Sequence, residues 1–194
     1  MKEGMGHQDI PELQRRIAIY EDEIAYRDLF FLLYAPLKRF AQTFLKSPEI
    51  SEEVVADVFV EIWTRRARLL EIEDLKMYLY ISVRNGALRR MQQARRQPVL
   101  SLDEISVELI SGDSTPEEAL LTSELRLRIE QAVNELPPRC KLIYKLAKED
   151  RLKYREISRL LHIQIKTIDH QLATAVKKIA HAVQFRLKKK TDQI

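Results

Sequence analysis

Residues 154–172 read YREISRLLHIQIKTIDHQL, and this stretch decides the fold of the C-terminal third. Apolar residues recur at spacings of three and four up to Leu161, which predicts a short helix. Three residues then make a tight connection, and a second helical pattern begins at Ile165. A short helix, a turn of three to four residues and a longer helix with a polar face are typical of a helix-turn-helix. A helical hairpin packed inside a bundle is the alternative that fits the same pattern.

The second of these helices carries polar side chains along one face. In a helix-turn-helix this helix enters the major groove of DNA, with the residues near its N-terminus at the base edges. The sequence therefore predicts a DNA-contacting face made of Gln164, Lys166, Thr167, His170, Gln171 and Thr174.

The composition of the whole chain favours helices. The 194 residues are 45% hydrophobic and include only 4 glycines, which argues against turn-rich all-β folds. We predict an all-α fold of two small helical domains joined by a flexible acidic linker, the C-terminal domain being the helix-turn-helix. The single cysteine, Cys140, excludes an internal disulfide and fits a reducing cytosol, so we expect a cytoplasmic protein. No stretch reaches the ~20 apolar residues that span a bilayer and no secretory leader is recognisable, so no direct membrane insertion is expected.

Composition also sets the predicted domain boundaries. Residues 1–96 form the first domain, 97–116 the linker and 117–194 the second domain. The linker contains two prolines and a Gly-Asp-Ser-Thr cluster with weak periodicity, and a short element is expected at 102–110.

The charge is distributed unevenly along the chain. Residues 97–134 hold 2 basic and 8 acidic residues, whereas residues 135–194 hold 15 basic and 6 acidic. A basic C-terminal third behind an acidic segment is typical of a nucleic-acid-binding module on a tether. A basic helix surface that only faces solvent is the alternative, since it gives the same count of basic and acidic residues.

The first domain contains three predicted helical runs. The apolar stripe from Leu29 to Phe44 is interrupted by Pro36, where we expect a new helix to begin. Ser51 is expected to cap the second run, which carries an apolar stripe ending at Trp63.

The third run extends from Leu75 to about Arg96, and its last part, RNGALRRMQQARR (84–96), has five arginines and no acid. Before the three runs, residues 1–20 contain a short amphipathic stretch to which the sequence assigns no role.

The order of these parts resembles the extracytoplasmic-function (ECF) sigma factors of the bacterial sigma-70 family. The stretches that carry the resemblance are LFFLLYAPLKRFAQTFL (29–45), EEVVADVFVEIWTRRARL (52–69), EIEDLKMYLYISVRNGALRRMQQARR (71–96) and ELPPRCKLIYKLAKEDRLKYREISRLLHIQIKTIDHQLATAVKKI (135–179). In that order they look like the family's opening helices, its signature for docking on RNA polymerase, its region that melts the −10 promoter element, and its helix-turn-helix for the −35 element. The resemblance implies a sigma factor that binds core RNA polymerase, directs it to specific promoters and helps to melt the −10 element.

The resemblance also assigns roles to positions. Polymerase binding falls to Asp57, Phe59, Glu61 and Trp63, and −10 DNA binding to Arg84, Asn85, Arg89 and Arg90. Asn85 stands at the family position that lines the pocket for a flipped base, and the arginines are suited to holding phosphates. Binding of the −35 element is assigned to the six polar residues of the second helix in the helix-turn-helix. For Trp63 a core position is the alternative, and so large a ring can serve both purposes.

The acidic linker is interpreted in two ways. In this family it threads toward surfaces of the polymerase that are built for polyanions, so Asp103, Glu104, Glu108 and Asp113 are expected to mimic nucleic-acid charge. A plain acidic tether explains the same residues equally well.

Some positions depart from the family pattern. Ala56 stands where the docking helix usually has Gln, and His162 stands where the turn usually has Gly. Lys153 and Gln164 occupy positions where Ser is usual, and residues 173–175 lack a common Arg. Most of these departures lie in the helix-turn-helix, and they point to an unusual promoter sequence or a marginal C-terminal domain.

The sequence contains no catalytic set, so we expect no enzyme. The four histidines lack metal-ligand spacing and there is no cysteine pair, so neither a metal nor another cofactor is predicted. The expected partners are core RNA polymerase and promoter DNA, with no small-molecule substrate. An anti-sigma factor is common in the family, although the sequence does not show one. Two alternatives stay open, namely a helix-turn-helix transcriptional regulator without sigma activity and a protein-only adaptor.

Overall fold

A computed structural model gives the backbone of residues 9–95 and 121–191 and the side chains of residues 9–93 and 127–182. The chain divides into two compact units, Met1–Val99 and Leu100–Ile194. Every regular element within the described ranges is helical, which confirms the all-α prediction for that part of the chain. The predicted linker, its acidic residues and the short element expected within it lie outside the described residues.

Within residues 9–95, the first unit consists of four α-helices and one 3-10 helix. The elements are α1 (Ile10–Tyr20), α2 (Glu23–Gln42), α3 (Pro48–Thr64), the 3-10 helix (Arg66–Glu71) and α4 (Leu75–Arg95). Helix α2 packs against α1, α3 and α4, and α3 packs against α4. The core between them includes Leu29, Phe59 and Tyr80, each at most 1% exposed.

Helix α1 gives residues 10–20 a structural role that the sequence left unassigned. Leu13 and Ile17 are buried against the rest of the unit. The buried Gln14 side chain donates from Nε2 to the carbonyl oxygens of Leu69 (2.6 Å) and Ile72 (2.7 Å). Because those carbonyls lie at the end of the 3-10 helix, α1 fixes the segment that connects α3 to α4.

Helix α2 corrects the prediction that a new helix begins at Pro36. The helix runs without interruption from Glu23 to Gln42 with Pro36 inside it. A proline in a helix interior costs about 3 kcal/mol or more because it removes one hydrogen bond and crowds the preceding turn. Burial of Leu37 and Phe40 after the proline offsets this cost, since full burial of such a side chain contributes about 1.5–3 kcal/mol.

The N-cap of α3 is not the residue that the sequence predicts. Ser47, not Ser51, caps the helix, and its Oγ accepts a hydrogen bond from the Ile50 N–H at 3.2 Å. Pro48 occupies the first helical position, where a missing N–H costs nothing. Ser51 lies one turn further on, fully buried, and its hydroxyl donates to the Ser47 carbonyl at 2.9 Å.

In the part of the second unit that the structure describes, three helices pack around a fourth. The elements are α5 (Leu121–Asn134), α6 (Pro138–Lys148), α7 (Tyr154–Leu161) and α8 (Ile165–Thr191). Helix α8 contacts α5, α6 and α7. One core cluster joins Val133, Leu136, Cys140 and Ala175, and Ile157, Leu160 and Ile168 are also buried.

The turn between α7 and α8 spans the residues that the sequence predicts. His162 ends α7 in the left-handed conformation (φ 54°, ψ 45°), so it occupies the backbone state for which the family usually has glycine. Its N–H bonds to the Ser158 carbonyl, and the Ser158 hydroxyl donates to the Ile163 carbonyl at 2.6 Å. Ser158 therefore closes the turn from both sides, and α8 follows from Ile165.

Candidate functional site

The exposed face of α3 carries two of the predicted polymerase contacts. The side chains of Asp57 and Glu61 are 71% and 47% exposed, and they stand four residues apart on one helix face. Glu61 pairs with Arg65 at 3.1 Å, in an arrangement that stays open to solvent.

The structure corrects the assignment of Phe59 as a contact residue. Its side chain is 1% exposed, and its ring packs against Phe30 with the ring centroids 4.9 Å apart. A ring with so little exposed surface belongs to the core, so Phe59 supports α3 from inside and is not available to a partner.

Trp63 lies half-buried at the C-terminal end of α3. The Tyr26 ring lies on one side of it at 4.9 Å between centroids, and the Arg66 guanidinium lies 5.0 Å from the indole centroid. The Tyr26 hydroxyl donates to the Phe59 carbonyl at 3.0 Å, and burial raises the pKa of that hydroxyl. Sequence reasoning did not pair Trp63 with Tyr26, because Tyr26 lies on another helix and no sequence spacing reveals the contact. It also did not pair Trp63 with Arg66, although a separation of three residues is a signal that could have found this contact.

A cleft of about 300 Å³ adjoins this end of α3. It is lined by Glu61, Ile62, Arg65, Arg68, Leu69, Glu71, Ile72 and Tyr78. The floor is apolar and the rim carries charges of both signs, so the cleft extends the open surface of α3 toward the start of α4.

Asn85 and Arg89, two of the predicted −10 residues, form an open stripe on α4. They are exposed and four residues apart, and so lie one above the other on the helix. Arg84 lies on the flank of this stripe and is only partly exposed. Its Nε is buried without a hydrogen-bond partner among the described residues, and burial lowers the pKa of its guanidinium. A partly desolvated cation of this kind is well suited to an incoming anion.

Arg90, the fourth predicted −10 residue, faces α3. Its guanidinium lies 3.6 Å from the Glu53 carboxylate and 3.4 Å from the Asp57 carboxylate. The structure therefore brings a residue assigned to DNA and a residue assigned to polymerase into one ion pair. Exposed pairs of this type contribute about 0–1 kcal/mol, so the pair can be exchanged at little cost.

The six predicted −35 residues lie at the N-terminal end of α8 or just before it. Gln164, Lys166 and His170 are exposed, and Thr167, Gln171 and Thr174 are partly exposed. The buried residues Ile168, Leu172 and Ala175 occupy the opposite side of the helix. The structure thus presents a polar face on α8 and separates it from the core of the second unit.

Within the described ranges, no three His, Cys, Asp or Glu side chains are grouped so as to bind a metal ion. No helix in the same ranges has the length and apolarity needed to cross a membrane.

Comparison with known protein families gives two matches in the chain. The model for Sigma-70 region 2 matches residues 30–97, which span most of α2 to α4. The model for Sigma-70, region 4 matches residues 126–179, which include the helix-turn-helix. A comparison with curated proteins gives no match.

Comparison with solved structures gives a similar fold. The similar chain comes from the co-crystal structure of the sigma factor RpoE in complex with the anti-sigma factor NepR from Bartonella quintana. The match covers 82% of this chain and 96% of that chain at 16% sequence identity, with a TM-score of 0.53.

The fold, the two open surfaces and the two family matches agree on one class. The chain belongs to the sigma-70 family, whose members are regulatory initiation factors. This chain is an ECF-type RNA polymerase sigma factor.

Proposed function

We propose that the first unit binds core RNA polymerase through the exposed face of α3 and opens the −10 element through α4, while α8 reads the −35 element. The observation that carries this proposal is that the first unit has two open surfaces, one on α3 and one on α4, which adjoin each other at the Arg90–Asp57 ion pair. Asp57 and Glu61 face solvent on α3, and Asn85 and Arg89 face solvent on α4. A protein that must hold a polymerase and DNA at once needs two such surfaces.

Co-elution with core polymerase tests the α3 surface. Replacing both carboxylates, Asp57→Asn with Glu61→Gln, removes two exposed charges without removing buried area, so the complex should weaken. Glu23→Gln, an exposed acid at the start of α2, is the matched control and should co-elute as the wild type does. If the double variant binds core polymerase as tightly as the wild type, these carboxylates are not contacts. If the wild-type protein does not co-elute, the two alternative functions are favoured, namely a helix-turn-helix regulator without sigma activity and a protein-only adaptor.

Permanganate footprinting of promoter DNA tests the α4 surface. A flipped base needs a polar pocket, so Asn85→Ala should reduce the reactive thymines in the open complex while leaving polymerase binding intact. Asn134→Ala, which alters an exposed asparagine of the second unit, is the control. Melting that is unchanged in Asn85→Ala would remove this residue from the −10 site.

The salt dependence of promoter binding tests the α8 face. If Lys166 contacts a phosphate, Lys166→Ala should lower the slope of log K against log salt by about 0.9. Lys148→Ala serves as the control because Lys148 is exposed on α6, outside the predicted face. An unchanged slope for Lys166→Ala would argue against that contact.

The proposal includes an anti-sigma partner and a cytoplasmic location. The structural neighbour RpoE is seen in complex with the anti-sigma factor NepR, and this chain shares its fold. A pull-down from native cells should recover core polymerase together with such an inhibitor. Recovery from the soluble fraction would support the cytoplasmic location, and recovery only from membranes would contradict it.

A further inference from the structure

Three arginines follow Trp63 closely in the sequence, and the structure treats them differently. The side chains of Arg65 and Arg68 are 64% and 73% exposed, whereas that of Arg66 is 27% exposed. The Nε of Arg66 is buried, and its guanidinium lies over the Trp63 indole. Arg66 also donates from Nη1 to the Trp63 carbonyl at 3.1 Å. Arg66 is thus fitted to the Trp63 residue through both the ring and the backbone.

The guanidinium of Arg66 is held from its other side by Glu21. The Arg66 Nη2 lies 2.8 Å from the Glu21 carboxylate. Glu21 ends α1 in the left-handed conformation (φ 50°, ψ 37°), at the corner between α1 and α2. The next residue, Asp22, caps α2 and accepts hydrogen bonds from Arg16. The corner that carries Glu21 is therefore fixed by its own bonds.

The Tyr26 ring also contacts the indole, with 4.9 Å between the ring centroids. Its hydroxyl is bonded to the backbone of α3, so the ring has a defined position. Trp63 consequently lies in contact with an aromatic ring from α2 and with a guanidinium anchored to the α1–α2 corner. Arginine suits this role because its planar group stacks on an aromatic face while its donors remain available for pairing.

We propose that Glu21 and Arg66 are positioning residues that hold the Trp63 indole in the orientation that polymerase recognises. This inference rests on the proposed role of the α3 surface. It adds Glu21, from the α1–α2 corner, to the residues that determine the affinity for polymerase. Glu21 precedes the range matched by the region 2 model.

Fluorescence offers a direct readout because Trp63 is the only tryptophan of the chain. Arg66→Met keeps an apolar stem of similar length but removes the cation, the hydrogen bond and the ion pair. Acrylamide should then quench Trp63 more strongly in the free protein. Affinity for core polymerase should fall by about threefold to tenfold, which is the range expected for loss of a partly buried cation–π contact. Glu21→Gln should move both quantities in the same direction by a smaller amount.

Arg15 supplies a matched control on the same unit. Its guanidinium lies 5.7 Å from the Tyr20 ring centroid and pairs with Glu12, so it makes the same two kinds of contact away from Trp63. Arg15→Met should leave both the quenching of Trp63 and the affinity for polymerase unchanged. Arg66→Lys should recover little of the loss, because a lysine keeps the charge without the planar group.

A double-mutant cycle separates the possible failures. If Arg66 acts through the indole, Arg66→Met should cost nothing further in a Trp63→Leu background. If both losses add in full, the positioning inference is wrong while the polymerase contact of Trp63 stands. If Trp63→Leu alone binds as the wild type does, the proposed contact itself fails. Should Arg66→Met prove unfolded by circular dichroism, the exposed Glu21→Gln variant decides, and unchanged quenching and affinity there overturn the inference.

Discussion

Gly86 on α4 lies close against Val54 of α3, and replacing this glycine by alanine is expected to destabilise the first unit. A Cβ at this position would lie 2.9 Å from the Val54 Cγ1, which is closer than real Cβ contacts allow. Val54 is 3% exposed and branched at its own Cβ, so its side chain has little freedom to move away.

Two opposing effects set the expected magnitude. Alanine is favoured over glycine in a helix interior by about 1 kcal/mol. Extra volume in a well-packed core costs about 1–3 kcal/mol. The clash therefore outweighs the gain in helix propensity, and we expect a net loss of about 1 kcal/mol in the free energy of unfolding.

Urea denaturation followed by fluorescence measures this loss, because the single tryptophan lies in the same unit. Asn85→Ala is the control: it places alanine at the neighbouring exposed position, where helix propensity changes without a clash. The double variant of Gly86→Ala with Val54→Ala should lose less free energy of unfolding than the two single variants lose in sum, because the smaller side chain at position 54 makes room for the new Cβ. A Gly86→Ala variant more stable than the wild type by about 1 kcal/mol would refute the reasoning.

Three further predictions follow from single contacts. Gln14→Leu removes the side-chain donor from the part-buried Ile72 carbonyl and leaves the buried Leu69 carbonyl with only the Ile72 N–H, so it should cost about 1–3 kcal/mol in urea denaturation of the first unit; a cost near zero would contradict it. The pKa of Asp22 is lowered by the Ala25 N–H and by Arg16, so Asp22 stabilises the fold above the usual carboxyl pKa and this stabilisation is lost as the pH falls below it. The difference in urea midpoint between the wild type and Asp22→Asn should therefore shrink toward about pH 3. Burial raises the pKa of the Cys140 thiol, which is 1% exposed, so a thiol reagent should label it slowly in the native protein and quickly in urea; equal rates would contradict this.

The sequence predicts the helix-turn-helix well because its signals are local. The apolar spacing and the three-residue connection predict the same bounds, Tyr154–Leu161 and a start at Ile165, that the structure shows. The left-handed conformation of His162 also follows from its place in the turn, where the family usually has glycine.

Pro36 misled the prediction because the local rule for proline was weighed without the longer pattern. Leu29, Leu33, Leu37 and Ala41 repeat every four residues directly through the proline, and all four are buried. That uninterrupted spacing was the signal for a single helix. Tertiary burial therefore outweighed the local preference.

The arrangement around Trp63 was beyond sequence reasoning for a different reason. Glu21 and Arg66 are far apart in the chain, and their meeting depends on how α1 packs against the 3-10 helix. The docking of α1 depends in turn on the buried side chains of Leu13, Gln14 and Ile17, and on no motif. The residues assigned from the family pattern remain predictions until the proposed variants are measured.

The pairing of Arg90 with Glu53 and Asp57 has a consequence for the response to ionic strength. A phosphate that takes this guanidinium must displace both carboxylates and then lies near them, which opposes its binding. Added salt weakens the attraction to phosphate, but it also loosens the competing pair. Arg89 has no ionic partner among the described side chains, so its phosphate affinity should fall steeply with salt. The contribution of Arg90 should change much less. If α4 binds the −10 element as proposed, this helix should therefore keep part of its affinity for DNA when the ionic strength of the cell rises.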